Sequence, residues 1–406
     1  MSDAQRQHHY CIVGGGIMGI AALYYLCQHD ALPKGSEITL VEAASTLAPA
    51  ASGKAGGFLA QDWHGPATAS IADLSYRLHR QLAEEQGGKD KWGYREVETY
   101  SLQFDDGSTS EKGVPVALDW IDQQHATSTS KLGGKGTTAQ VTPLLLVNHL
   151  IDQAKKKAQE RAIDLEFRLN TFAKEARLDE SGQSVQALKV APTSAKDADD
   201  TTTIPCTHLI LSAGPWLGSL VTSLFPQSFV TSHRFLHSAS YVDGSRAHSI
   251  VVRGTRCASN HCLFTDMSYG AGSRHPKAAA PELYARGDGT VYVCGSSDDE
   301  PLPPLAEQVT HDSAKTEALV EQTSVLSPDV LSPKGGATVE RQQACYLPVP
   351  HRGNFIVGGH APSGVYVGGG GGSCWGITMS LGAGKCISEI VLDGRTRSAD
   401  VSHLQG

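Results

Sequence analysis

Six consecutive residues near the N-terminus, Gly14-Gly15-Gly16-Ile17-Met18-Gly19, carry glycines at the spacing a dinucleotide pyrophosphate demands. Gly14 permits a tight turn from strand to helix, Gly16 lets phosphates approach the backbone, and Gly19 allows close packing of helix on sheet. The anion then lies at the positive end of the helix. Glu42 closes the next apolar run, where an acidic side chain accepts hydrogen bonds from a ribose hydroxyl and disfavours the extra phosphate of NADP. Glycine-rich turns also occur for purely structural reasons, but a strand pattern precedes this one and a helical pattern follows it. The unit specifies a dinucleotide and leaves FAD and NAD both open. Further on, Ala51-Ser52-Gly53-Lys54-Ala55-Gly56-Gly57-Phe58 is a small-residue segment able to pass closely beneath a ring system, or to serve as an ordinary loop.

These residues need elements to position them. Residues 10–13 form a short apolar strand, 17–28 a helical pattern, and 37–42 a second strand after the Pro33-Lys34-Gly35 turn, which together make a β-α-β unit. A helix is predicted around 69–85. A stretch from 92 to 136 alternates like hairpins broken by Asp-Gly and Gly-Gly pairs. Thr142 and Pro143 supply a helix start, and Val147, Leu150, Ile151 and Ala154 recur at core spacing behind them. Strands are predicted at 164–168, 184–190 and 208–212, with a polar surface loop at 193–203. From 226 to 335, strand-like pieces at 249–252 and 290–294 accompany a helical pattern near 314–323. The chain finishes with strands at 354–357 and 365–367, five glycines at 368–372, and a helix over 375–392.

The 406 residues exceed a typical domain, so two domains are expected. Forty per cent apolar residues and 43 glycines describe a globular chain rich in tight turns. A net charge of −8, with no dense Lys/Arg block, offers nucleic acid no electrostatic footprint. Nine cysteines, odd in number and scattered, read as reduced thiols of an intracellular, cytoplasmic protein, and neither they nor the histidines show metal-ligand spacing. The short polar lead before residue 10 leaves no room for a signal peptide, and the longest uncharged run is too short and too broken by glycine and proline to span a membrane.

With these motifs in view, the sequence resembles the D-amino acid oxidase and sarcosine/glycine oxidase superfamily of FAD-dependent oxidoreductases. The resemblance rests on the Gly14 to Glu42 unit, the Ala51 to Phe58 segment, the run Thr207-His208-Leu209-Ile210-Leu211-Ser212-Ala213-Gly214-Pro215-Trp216, and the glycine-rich turn near the C-terminus. Pro281-Glu282-Leu283-Tyr284-Ala285-Arg286, Gly289 to Gly295 and Ser373-Cys374-Trp375-Gly376-Ile377 look most like a fungal branch of it. The resemblance implies an α/β fold: a Rossmann-like FAD-binding domain from 1–91, 136–225 and 336–406, and an interleaved antiparallel-sheet α+β substrate domain from 92–135 and 226–335.

It further implies that FAD is held by Gly14, Gly16, Ile17, Met18, Glu42, Ala43, Ser52, Lys54, Gly57 and Phe58. Ala173, Ala213, Gly214, Trp216, Cys345, Gly371, Cys374, Trp375, Gly376, Ile377 and Thr378 complete the set. Cys345 is similar in position to a cysteine bonded covalently to flavin in sarcosine-oxidase-like members, though non-covalent FAD is the expectation. Trp375, Arg286 and Tyr346 are the candidate catalytic residues, and Trp63 and His64 further candidates for a substrate cage. The implied activity is hydride removal from the C–N carbon of a small amine or amino-acid-like substrate to flavin N5, with oxygen a candidate for reoxidising the flavin. Departures weaken the substrate side. Leu347 stands where glycine-oxidase-like members carry an arginine, Thr378 where sarcosine-oxidase-like members carry a lysine, and the strand at 290–294 lacks the lysine that aids reaction with oxygen. A flavin-bound adaptor without catalysis, and an NAD-dependent dehydrogenase, are the alternatives.

Overall fold

A computed structural model describes residues 8–109, 114–195, 200–272, 277–351 and 354–406. The strand His9–Val13 is buried on both sides, Tyr10 and Ile12 facing one core cluster while Cys11 and Val13 face another. A strand without a polar face belongs inside a parallel sheet. It pairs in parallel with His208–Leu211 on one side and Glu37–Val41 on the other. The complete sheet has six strands in the order Ile356–His360, Val365–Gly370, His208–Leu211, His9–Val13, Glu37–Val41 and Asp164–Arg168, the first antiparallel to its neighbour.

Helices Ile17–Gln28, Ala69–Gln86, Pro143–Glu160 and Gly376–Asp393 share one core on one face of this sheet. On the other lie a three-stranded antiparallel sheet (Thr171–Leu178, Val185–Pro192, Thr202–Pro205) and helices Leu217–Leu224, Gln227–Ser232 and Arg234–Ala239. Helix Ile17–Gln28 is apolar nearly all round because it is buried nearly all round.

The second layer is an eight-stranded, mostly antiparallel sheet. Its path runs Thr338–Pro350, Val242–Arg253, Thr290–Asp298, Glu282–Ala285, His261–Tyr269, Glu98–Asp105 and Ala126–Gly133, and Lys277–Ala279 pairs beside it. Alternation divides its faces. Leu263, Leu283, Val291, Val293 and Ile250 point outward into a core that includes Leu319 and Leu326 of the helix Ser313–Leu326. Cys262, Tyr284, Tyr292 and Val251 point inward, toward Phe58 and Ala60.

Two expectations need revision. The polar stretch read as a loop ends in the strand Thr202–Pro205, which pairs with Val185–Pro192 as the exposed edge of a small sheet, where polar residues are tolerated; residues 196–199 lie outside the described residues. The boundary at 336 sets Thr338–Pro350 with the FAD-binding segments, yet this strand pairs along its length with Val242–Arg253 in the large sheet. Thirteen residues at roughly 3.3 Å each carry it from the far end of that sheet to the cofactor cavity, so it serves both layers. Among the described residues no helix is long and apolar enough to cross a membrane.

The two central helices touch through a glycine. A Cβ on Gly384 would lie 2.5 Å from the Ala21 carbonyl carbon. Gly384→Val therefore forces helices Ile17–Gln28 and Gly376–Asp393 apart, and thermal denaturation is expected to register a loss of about 2 kcal/mol or more. An unchanged melting temperature would mean that the helices do not meet this closely.

Candidate functional site

A cavity of about 990 Å³ runs beside the glycine turn. Gly14 has φ of +112°, and a Cβ there would stand 2.4 Å from the Ser212 carbonyl oxygen; on Gly19 it would stand 2.0 Å from the Gly14 carbonyl oxygen. Those two glycines are packing requirements. Gly16 differs, since a Cβ on it would meet only Ser52 Oγ, at 3.2 Å. Its bareness leaves room over the helix N-terminus, where first-turn N–H groups have no intrahelical acceptor. Ser52 Oγ accepts from the Ile17 N–H at 2.9 Å, which frees its own hydrogen for an anion in the cavity.

Glu42 is half-buried, and its carboxylate accepts from Gly15 N at 2.6 Å through Oε2 and from Ala44 N at 2.8 Å through Oε1. Each oxygen keeps a second lone pair for a hydroxyl donor. Burial raises the Glu42 pKa above the usual glutamate value, more than the amide hydrogen bonds lower it. Ala43 and Ala173 line the cavity beside it, as do Ala213, Gly214 and Trp216 from the turn after His208–Leu211.

At the C-terminal turn, Cys374, Gly376 and Ile377 line the cavity, and the helix Gly376–Asp393 begins there. Gly369 and Gly371 have positive φ, and Ser373 adopts a left-handed φ of +46° that few non-glycine residues take up. Met18 also reaches this turn. A Cβ on Gly369 would lie 2.5 Å from its sulfur.

Several named residues lie beside this cavity rather than on its wall. Lys54 Nζ donates to the Ala344 carbonyl at 3.1 Å, and burial lowers its pKa. Gly57, at φ +88°, packs against the Val141 carbonyl, Gly371 against Pro350, and Thr378 is buried with its hydroxyl donating to the Phe58 carbonyl at 3.2 Å. Cys345 is buried, and that burial pushes its thiol up to about 11 against a smaller opposing pull from Lys54. Tyr346 is buried with its hydroxyl donating to the Pro301 carbonyl at 2.8 Å. Arg286 donates to the Ala55 carbonyl at 3.1 Å and stacks over the Tyr292 ring.

Phe58 and Trp375 instead belong to a group of rings between the helices and the inner face of the large sheet. Phe58 lies 5.1 Å from Trp63, 5.5 Å from Phe264, 5.6 Å from Tyr284 and 6.5 Å from Trp375, ring centre to ring centre. His64 stands 4.6 Å from Trp375, and its pKa is lowered by burial, so its ring is neutral near pH 7. Gly56 makes the close approach possible, since a Cβ there would fall 2.3 Å from the Tyr284 ring. Ala55 and Cys374, which line the cavity, adjoin Gly56 and Trp375 of this enclosure in the chain.

Sequence reasoning missed one wall. The segment from Pro301 to Ala306 crosses the cavity, tied by the Trp216 indole donating to Pro303 O at 2.7 Å and by Glu307 Oε1 accepting from Ser45 N at 2.6 Å. The proline-rich Pro301-Leu302-Pro303-Pro304 was its only signal in the chain, an extended stretch unable to join helix or sheet.

A family model described as DAO, FAD dependent oxidoreductase, matches residues 9–390. A protein of Schizosaccharomyces pombe provisionally named oxidoreductase C1F5.03c is 34% identical over 404 residues, covering 97% of this chain and 96% of that protein. A Saccharomyces cerevisiae protein provisionally named oxidoreductase TDA3 is 25% identical over 99% of this chain and 95% of its own. Among solved structures, L-proline dehydrogenase from P. horikoshii aligns with a TM-score of 0.70 at 14% identity, over 98% of this chain and 96% of its own. Glycine oxidase from Bacillus cereus aligns with a TM-score of 0.70 at 15% identity, over 99% of both chains. At such identity the structures speak to fold alone. The residues present fit FAD: a bare glycine over a helix N-terminus, a half-buried carboxylate with free lone pairs, and a cavity that both line.

Ribose hydroxyls donate best to an ionised Glu42. FAD affinity of the apoprotein is expected to fall about tenfold in Glu42→Gln at pH 7, and the gap to narrow as acid protonates the wild-type carboxylate through its raised pKa. Equal affinities at pH 7 in a flavin titration would remove Glu42 from the cofactor site.

Proposed function

Because the chain belongs to the DAO family of FAD-dependent oxidoreductases, we propose that it removes a hydride from the C–N carbon of a small amine or amino-acid-like substrate. The observation that carries this reading is the enclosure of Phe58, Trp63, His64, Phe264, Tyr284 and Trp375 beside the cofactor cavity. Proteins of like fold named for proline, glycine and iminodiacetate support it.

Bound FAD supplies the hydride acceptor, so the protein has only to hold the substrate, exclude water and orient the reacting carbon. The aromatic walls do the second and third of these tasks, being large, stiff and apolar. Helix Gly376–Asp393 directs its positive end toward the cavity, where negative charge on a reduced flavin would be favoured. The Cys345 thiol, pushed up to about 11, is almost wholly protonated at neutral pH and makes a poor nucleophile, which supports non-covalent FAD. Acid precipitation is accordingly expected to leave the flavin in the supernatant; yellow pellets would establish a covalent bond.

Activity is tested by mixing the FAD-loaded protein anaerobically with secondary amines, N-methyl amino acids, D-amino acids and imino acids. Bleaching of the flavin band by at least one of them is expected, and readmitted air then reads whether oxygen restores it. Leu347 and Thr378, standing where the resemblance implies an arginine or a lysine, favour a second reading, a flavin-bound protein without turnover. A flavin that dithionite bleaches but no member of the panel does would favour that reading.

A further inference from the structure

Two cations, Lys54 and Arg286, each hydrogen-bond a backbone carbonyl. Lys54 is bonded to the Ala344 carbonyl, and Arg286 to the Ala55 carbonyl with its guanidinium 5.4 Å from the Tyr292 ring centre. The inner face of the large sheet presents a carboxylate instead. Register pairs Glu282 with Phe264 on one neighbouring strand and with Cys294 on the other, so all three side chains share one face. Tyr284, two residues along, lies on that face as well.

The surroundings of Glu282 are asymmetric. The Tyr284 hydroxyl donates to Oε2, and Cys294 Sγ donates to the same oxygen at 3.7 Å. Oε1 accepts no hydrogen bond from the described residues, yet it is not shut away from solvent, and no cation among them forms an ion pair with this carboxylate. One oxygen is thus fixed by two donors while the other is left open. Trp63 stands 5.3 Å from Phe264 and 6.3 Å from Trp375, and all three rings are half-buried. The Glu282 charge is also felt at Cys374, on the wall of the cofactor cavity, whose thiol is raised by desolvation first and by that charge second.

A carboxylate with one free oxygen, on a sheet face shared with aromatic side chains, matches an ammonium group in charge. Ring faces attract cations through their quadrupoles, and the carboxylate supplies the counter-charge that a half-buried cation requires. A free amino acid would bring a second carboxylate into the same space, where Glu282 repels it. We propose that Glu282 with Trp63, Phe264 and Trp375 forms a subsite for a substrate ammonium group, and that the preferred substrates are small amines without a carboxylate. This assignment deepens the amine-oxidation reading and rests on it.

Benzyltrimethylammonium is a suitable probe, because a quaternary nitrogen has no lone pair to drive hydride loss and the ligand binds without reacting. Titrated into the FAD-loaded protein and followed by calorimetry and by the flavin visible band, it is expected to bind, and benzoate is not. Glu282→Gln is expected to weaken the probe about tenfold with flavin content unchanged, and Glu282→Asp, which keeps the charge, to weaken it less. Equal affinity in wild type and Glu282→Gln, or benzoate binding more tightly than the ammonium, overturns the subsite. Binding by the probe with no amine bleaching the flavin upholds the subsite and sinks the oxidation reading. Amino acids bleaching the flavin as fast as the matching amines does the reverse.

Discussion

A side chain on Gly19 would occupy the space taken by the Gly14 carbonyl, and one on Gly14 the space taken by the Ser212 carbonyl. These two contacts bring three pieces of backbone together: the strand His9–Val13, the helix Ile17–Gln28 and the turn after His208–Leu211. The parallel pairing of the strands and the helix packing behind them both presuppose that approach. The cavity follows from it, because a helix starting this close to the sheet must aim its unpaired N–H groups into the crevice beyond the strand ends. Helix Gly376–Asp393 lies against this frame through Gly384, so the glycine-rich C-terminal turn inherits its position from the N-terminal one.

The large sheet meets that frame along a seam governed by similar close approach. Gly56 allows the backbone to pass against Tyr284 and Tyr292, and Gln343 donates to the Lys54 carbonyl at 3.0 Å. Its outer face is an ordinary aliphatic core covered by a helix, whereas its inner face is aromatic with a few polar groups. A single strand alternation therefore separates a stability face from a chemical one. The segment from Pro301 to Ala306 links the layers a second time, leaving the large sheet and crossing the cavity to end near Ser45.

Legibility in the sequence followed this division. The β-α-β unit, the helix starting at Pro143 and the strand His208–Leu211 were readable because each is local: a hydrophobic period bounded by a cap, a turn or a glycine. Fourteen of the named cofactor residues line the cavity, from Gly14 to Ile377. Gly57, Thr378 and Cys345 were named through their neighbourhood but do not line the cavity, and no periodicity distinguishes a lining residue from a neighbour. The long strand Thr338–Pro350 and the proline-rich strap escaped because their roles depend on partners far away in the chain, and pairing of that kind leaves no local mark. Glu282 lay within a quoted motif, yet only strand register reveals that it shares a face with Phe264 and Cys294.

The two halves of the site also differ in what substitution does to them. Where the cavity meets the glycine turn and the helix N-terminus, donors are backbone groups, and any sequence that keeps the backbone path keeps the donors. The enclosure has no such protection. Its walls are side chains, so exchanging one changes size, charge or hydrogen bonding directly, and the scaffold beneath is left intact. A chain can thus keep its cofactor site while the side chains of the enclosure change. The carboxylates of Glu42 and Glu282, both half-buried, illustrate the contrast. The first has an amide donor on each oxygen and is part of the frame. The second has both its donors on one oxygen, and its other oxygen accepts no hydrogen bond from the described residues.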